Sequence, residues 1–300
     1  MSSLLPIIVT WDVDPSPEVP YDLRHRSLGV TLDLCRDLHV RSTFFVTANA
    51  EHAQAEDLEQ IQSLGHEIGC HGLTHTDEEE YQRMPAKDVH TYIEQATSKL
   101  QSAAGVPITV FRSPRLKVGA SMIDALAACG YVADSSVCSQ RIDLISSNLI
   151  NYGWLVAPRR PYHPHRANPF KRGDSPLWEI PISAAIIPLI SAFLSVLGPS
   201  CMKTWFRLLA AESRRTGKPI VYLGHPIEFT SAWIKPFAWS QLSPAYIRTH
   251  GLLLRKQLYR LDSVAWLQAT RDLFAYMASF PGAEFLPLGE YVARELGDSR

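Results

Sequence analysis

The sequence predicts an α/β protein whose parallel sheet curls into a barrel, and three observations carry that expectation. Short apolar runs alternate with stretches of helical spacing from the first residues onward. The alternation repeats often enough to suggest a barrel, in which chemistry collects at the C-terminal ends of the strands. At 300 residues and 46% hydrophobic content, the chain can also bury the core of one large domain. No repeat, low-complexity tract or linker divides it, so residues 1–300 are expected to form a single unit.

The elements follow in order. "PIIVTWD" (6–12) reads as a buried strand, and "RHRSLGVTLDLCRDLHV" (24–40) as a helix with Leu28, Val30, Leu32, Leu34, Cys35 and Leu38 at helical spacing. "STFFVTA" (42–48) is a second strand, "AEDLEQIQSLG" (55–65) a helix closed by Gly65, and "HEIGCHG" (66–72) a third strand. A helix near 86–104, the strand "ITVFRSP" (108–114), a helix near 119–129 and "YVADSSV" (131–137) continue the series. Later come the strand "IVYL" (220–223) and a helix over 263–280 packing through Val264, Leu267, Leu273, Phe274 and Met277. A last strand and helix lie in "AEFLPLGEYVARE" (283–295).

Three segments break the rhythm. Residues 153–176 are proline-rich and basic, a length of loop that is uncommon unless it serves binding. Residues 182–199 are almost wholly apolar, interrupted by Pro188. They read either as a core strand plus buried helix or as an apolar flap meeting lipid. Residues 226–260 are rich in Trp and Phe, an insertion suited to a lid or an oligomer face.

The bulk numbers exclude several classes. With 29 basic and 30 acidic side chains, no global field attracts nucleic acid. The five cysteines are scattered, without a C-x-x-C pair, which argues against a disulfide framework or a thiolate metal site. The N-terminus lacks a charged n-region, and no segment reaches the roughly 18 apolar residues of a spanning helix. The expectation is a cytoplasmic protein, with peripheral contact at the inner membrane face if the apolar segment is a flap.

The groups that can do chemistry fall where strands end. Asp12 and Asp14 are two apart, and strand alternation puts both carboxylates on one face, where they repel unless a cation or proton intervenes. His66-Glu67 opens like the helical H-E-x-x-H metal signature, but Cys70 stands at its fifth position, and Gly65, Gly69 and Gly72 break any helix here. His71 and His75 remain: either metal ligands from a strand end and its turn, or solvated loop histidines. Two imidazoles and a carboxylate are a common set for a catalytic divalent ion. Arg112 can orient a carboxylate by paired hydrogen bonds. His225, where a strand breaks at Gly224 and Pro226, is a candidate general acid if it faces such a site.

Taken together, "TWDVD", "STFFV", "GHEIGCHGLTH", "FRSPR", "YVADSS" and "VYLGHP" resemble, in order, the motifs of the polysaccharide deacetylases of carbohydrate esterase family four, the NodB-homology proteins. The resemblance runs from about residue 6 to residue 229. It implies a distorted (β/α) barrel that hydrolyses N-acetyl groups on sugars. It further implies Asp12 as general base, and Asp14, His71 and His75 as metal ligands. Arg112 would hold Asp12, and His225 would protonate the leaving amine with Asp134 as its orienting partner. A backbone N–H near Pro114–Arg115 would meet the oxyanion. The metal is Zn2+ by preference, with Co2+, Mn2+, Fe2+ or Ni2+ compatible with the same donors. Val13 separates the two acids, whereas much of the family has them adjacent. The D-x-D form is similar to atypical intracellular members, some of which act on cyclic ureides or lipid-linked sugars.

The substrate readings stay open at this point. The basic loop (Arg159, Arg160, His163, His165, Arg166, Lys171, Arg172) suits a phosphate and the 182–199 segment an acyl or prenyl chain, which favours an amide on a lipid-linked or phosphorylated sugar. A soluble sugar or cell-wall glycan, a non-sugar amide such as a cyclic ureide, and a non-catalytic carbohydrate-binding pseudoenzyme are the alternatives.

Overall fold

The computed structural model describes residues 4–16, 19–140, 152–230 and 260–297. Strand β1 (Leu5–Val13) is buried along its whole length, as a strand covered on both faces must be. Helix α1 (Tyr21–Asp37), β2 (Ser42–Val46), α2 (Ala55–Ser63), β3 (Glu67–Cys70), α3 (Ala86–Ala104), β4 (Val110–Phe111), α4 (Ala120–Ala128) and β5 (Ala133–Asp134) follow in strict alternation. Neighbouring strands pair in parallel from β1 to β5. Close packing at β3 needs a glycine: a Cβ on Gly69 would sit 2.5 Å from the Phe45 ring of β2.

After β5 the rhythm loosens. The basic stretch 153–176 is not the plain loop that its composition predicts. It holds an antiparallel hairpin of β6 (Pro164–His165) and β7 (Asn168–Arg172), with a bulge between Pro164 and His165. β8 (Trp178–Glu179) then joins the sheet beside β5 in parallel. The apolar stretch forms a small hairpin, β9 (Ala184–Ala185) with β10 (Ile187–Pro188), and the short helix α5 (Ser191–Leu197). Ile182, Ala184, Leu189 and Leu194 are buried while Ile186 at the hairpin tip is exposed, so most of this segment is core. Helix α6 (Pro199–Thr216) leads to β11 (Ile220–Gly224), which pairs with β1. The chain ends with α7 (Ser263–Ala278), β12 (Ala283–Phe285), which also pairs with β1, and α8 (Leu288–Tyr291). Residues 231–259, most of the aromatic-rich insertion, lie outside the described residues.

The sheet order is β11-β1-β2-β3-β4-β5-β8, with β12 on β1. Its two ends are joined through irregular backbone. Ile182 N–H donates to Val137 O (2.9 Å), Ser183 N–H to Val221 O (3.1 Å) and Leu223 N–H to Leu189 O (3.2 Å). Outside the sheet, Trp11 packs against Phe44, Tyr222, Phe229 and Phe274, with ring centroids 5.9–6.4 Å apart. Alternation along β1 then sends Thr10 and Asp12 to the opposite side, into the barrel. Helix α7 packs through Trp266, Leu273, Phe274 and Met277, but Val264, expected on that face, is exposed. It stands in the first turn after the Asp262 cap, off the inward stripe that Trp266 begins.

Candidate metal centre and its flanking groups

Asp14, one residue beyond β1, and His71 and His75, beyond β3, meet at the C-terminal ends of two strands. One donor atom from each lies within 4.8 Å of the others. Asp14 Oδ1 is 3.3 Å from His71 Nε2 and 3.4 Å from His75 Nε2. That oxygen is buried but has no hydrogen-bonding partner in proper geometry, a costly state for a carboxylate oxygen unless a cation fills it. His71 Nδ1 lies 2.9 Å from Arg112 O, so it carries the ring proton and leaves the Nε2 lone pair facing Asp14. Two imidazole nitrogens and one orphaned carboxylate oxygen fit a divalent cation with positions left for water and substrate.

The electrostatics agree with that fit. Burial pushes the Asp14 carboxyl up, but His75, His71 and His225 outweigh it and hold the group well below the usual carboxylate range. Burial likewise opposes a charged ring at both histidines. At His71 the Asp12 and Asp14 carboxylates prevail and raise the pKa. At His75 burial prevails, helped by His71 and Arg115, and the pKa falls.

Asp12 borders the triad, with Oδ2 3.8 Å from His71 Nε2. Its other oxygen, Oδ1, accepts from Arg112 Nη1 at 2.8 Å. Arg112 is fully buried and immobilised: Nη1 also donates to Thr10 Oγ1 (2.7 Å), Nε to Ser135 O (2.8 Å) and Nη2 to Ser135 Oγ (2.9 Å). The guanidinium also stacks 4.3 Å from the Phe45 ring centre.

On the other side of Asp14 stands His225, directly after β11, its Nε2 3.9 Å from Asp14 Oδ2. Asp134 is not its partner, contrary to the expectation from sequence. The Asp134 carboxyl is buried on β5, where its Oδ1 accepts from Ser136 Oγ and its register neighbour is Glu179 of β8. His225 instead finds Glu228, three residues on in the same 3-10 turn: Nδ1 lies 3.3 Å from Glu228 Oε1, and the His225 N–H donates to Oε2 at 3.3 Å. Burial would lower the His225 pKa, but the hydrogen bond to and charge of Glu228, with Asp14 and Asp12, raise it to about 9. The "HPIE" spacing was the signal for Glu228, since an i, i+3 pair in one turn faces the same way. Nothing in the local sequence marks Glu179, because it meets Asp134 only through strand pairing.

The turn after β4 departs from ordinary backbone. Arg115 and Leu116 have φ of 55° and 57°, and Arg115 ties Asp77 and the Thr76 carbonyl to this rim. Two residues of the basic stretch are already engaged, Arg159 with Glu212 and Arg166 with Asp124. No helix among the described residues is long and apolar enough to cross a membrane.

Comparison with known proteins supplies the context. Residues 6–133 match the family model "Polysaccharide deacetylase". A bifunctional xylanase/deacetylase of Pseudobutyrivibrio xylanivorans is 29% identical over 150 residues, covering 47% of this chain but only 23% of that protein. A solved structure assigned as a polysaccharide deacetylase of Mycobacterium smegmatis has 18% identity and a TM-score of 0.63, covering 96% of this chain and 89% of its own. PuuE allantoinase has 15% identity and a TM-score of 0.62, covering 97% and 91%. At those identities the two structures speak for the fold alone. Residues 6–133 are thus similar to the polysaccharide deacetylase family model, and the whole chain shares the (β/α) barrel fold of the Mycobacterium smegmatis structure.

Proposed function

We propose that this protein is a metal-dependent amidohydrolase that removes an acyl group, acetyl or formyl, from the nitrogen of an acylated sugar. The observation that carries the reading is the arrangement around Asp14: two imidazole nitrogens on one oxygen, the Arg112-held Asp12 beside them, and the Glu228-held His225 near the other oxygen. A divalent cation held by Asp14, His71 and His75, Zn2+ first among Co2+, Mn2+, Fe2+ and Ni2+, would polarise the amide carbonyl and acidify an attacking water.

The chain's own groups then move the protons. Asp12 accepts the water's proton on Oδ2, because Oδ1 is occupied by Arg112. His225 delivers a proton from Nε2 to the departing nitrogen as the C–N bond breaks, and Glu228 stabilises the charged ring beforehand at Nδ1. Acid and base flank one carboxylate, so a single bound amide can meet both. Activity should rise and fall with pH around these two groups.

The test is metal content by elemental analysis on wild type and on the His71→Ala/His75→Ala protein, alongside acetate and formate release from a panel of acylated sugars and glycolipids. About one metal per chain, lost together with activity in the double variant, supports the reading. A metal-free wild type that folds and binds sugar without turnover overturns it in favour of a binding module. A lipid-linked substrate is favoured by a single feature, the exposure of Leu155, Val156 and Ile186 on segments joined through Gln140. Failure of wild type to co-sediment with anionic vesicles, with full activity on a water-soluble sugar amide, would sink that refinement.

A further inference from the structure

Glu79 is fully buried, eight residues after His71. Its carboxylate faces the inside of the turn that carries His75. Oε1 accepts from the Leu73 N–H at 2.7 Å and from the Tyr81 hydroxyl. Oε2 accepts from the N–H groups of Thr74 and His75, both at 2.7 Å, and from Thr74 Oγ1 at 3.0 Å. Three successive backbone N–H groups thus converge on one side chain, the kind of nest that normally receives an anion. Among the described residues no cation pairs with this carboxylate; the nest is what satisfies it.

The turn needs such a clamp. His75 has φ of 59°, in the left-handed region that a residue with a Cβ adopts only when its surroundings impose it. The carbonyls of the same turn are held from the other side, Gly72 O by the Ala48 N–H at 2.9 Å and Leu73 O by the Asn49 N–H at 2.8 Å. Gly72 itself needs to be a glycine: its φ is +77°, and a Cβ there would stand 2.6 Å from both Glu79 Oε1 and the Pro114 ring.

We infer that Glu79 is the positioning residue of the His71–His75 pair: it locks the Leu73–His75 backbone so that the His75 ring is presented to Asp14 without rearrangement. The inference rests on reading Asp14, His71 and His75 as metal ligands. Glu79 touches none of the reacting groups; its effect reaches them through the His75 main chain.

The experiment compares wild type with Glu79→Gln, Gly72→Ala and, as a charge control, the exposed Glu78→Gln. Co2+ affinity is measured by titration, amide hydrogen exchange at residues 73–75 and melting temperature on the metal-free proteins. A glutamine turns its NH2 against at least one set of these donors, whereas the added methyl of Gly72→Ala crowds Glu79 Oε1 and the Pro114 ring alike and strains the turn directly, so it serves as the benchmark for a distorted turn. Both should speed exchange at residues 73–75 and weaken Co2+ binding by about 10- to 100-fold, the usual effect of losing a partner that orients a ligand. Glu78→Gln should change neither. Wild-type-like Co2+ affinity in Glu79→Gln overturns the inference while leaving the metal reading intact, and a lower melting temperature with unchanged affinity, which marks a purely structural brace, overturns it as well. A wild type that takes up no Co2+ overturns both.

Discussion

Two pairs of acidic residues are buried in the same sheet, and they meet opposite surroundings. Asp12 and Asp14, at the end of β1, face Arg112 and three histidines. Asp134 and Glu179, side by side on β5 and β8, face hydroxyls, the Val137 N–H and, less directly, the same Arg112. Burial pushes the Asp14, Asp134 and Glu179 carboxyls towards their neutral form, yet Asp14 is held far below the usual range while Asp134 and Glu179 are both raised, Glu179 well above. Partners, and not depth, decide the charge. A carboxylate ringed by imidazoles is ready for a cation; two acids facing hydroxyls, an amide and each other are driven towards the neutral form.

The contrast can be broken most forcefully at Asp14. Asp14→Ala should take metal content from about one per chain to near zero and activity to background, with the fold retained by circular dichroism. Asp12→Asn should keep the metal and cost about 10²- to 10⁴-fold in turnover, the range for a lost general base. Equal turnover with and without the Asp12 carboxylate would remove Asp12 from the chemistry. Next in size is Glu228→Gln. Without that charge the His225 imidazolium is less stable, its pKa falls from about 9, and the alkaline limb of the activity profile moves to lower pH. A displacement of about 1–3 units is expected, and a stationary limb would show that another group sets it.

The smallest effect belongs to the other pair. A carboxyl raised in the folded state contributes stability that is fully present below its unfolded pKa of about 4.3 and is lost as pH rises through the folded value. Wild-type stability should therefore decline above that point, by at most about 1.4 kcal/mol per pH unit per proton, until the raised carboxyl ionises. Glu179→Gln removes the titrating group and should flatten that slope in urea melts taken across pH, with little change in activity. A slope as steep as wild type would mean that Glu179 does not carry the proton.

The same comparison explains what was legible in the sequence. Asp12, Asp14, His71 and His75 sit at strand ends whose apolar runs and breakers are local signals, but each pattern alone is weak, and it is the ordered set of motifs, through its resemblance to the polysaccharide deacetylases, that joins them. Arg112 alone reads as a surface ion pair and gains its role from the same resemblance. Asp134 was visible as a strand-end acid but was joined to the wrong histidine, because strand order, which seats it beside Glu179, is not written in any short stretch. Glu79 was hidden in "TDEEE", where composition suggests a solvated acidic run; only the return of the turn onto its own backbone buries it. The hairpin within residues 153–176 was masked by prolines and charge, and Val264 by a phase error of one position in an otherwise correct helical stripe.

The join between the two ends of the sheet has a mechanical meaning. A hoop under load gives at its clasp, and here the clasp is a handful of hydrogen bonds from residues 182–190 to Val137 and β11. β11 and β1, which carry His225, Asp12 and Asp14, lie together on one side of it in unbroken parallel register, and β3 and β4 continue that span to His71 and Arg112. The irregular join thus falls between β8 and β11, at the His225 end of the arc, while Asp12, Asp14, His71 and Arg112 stand within its continuous parallel part.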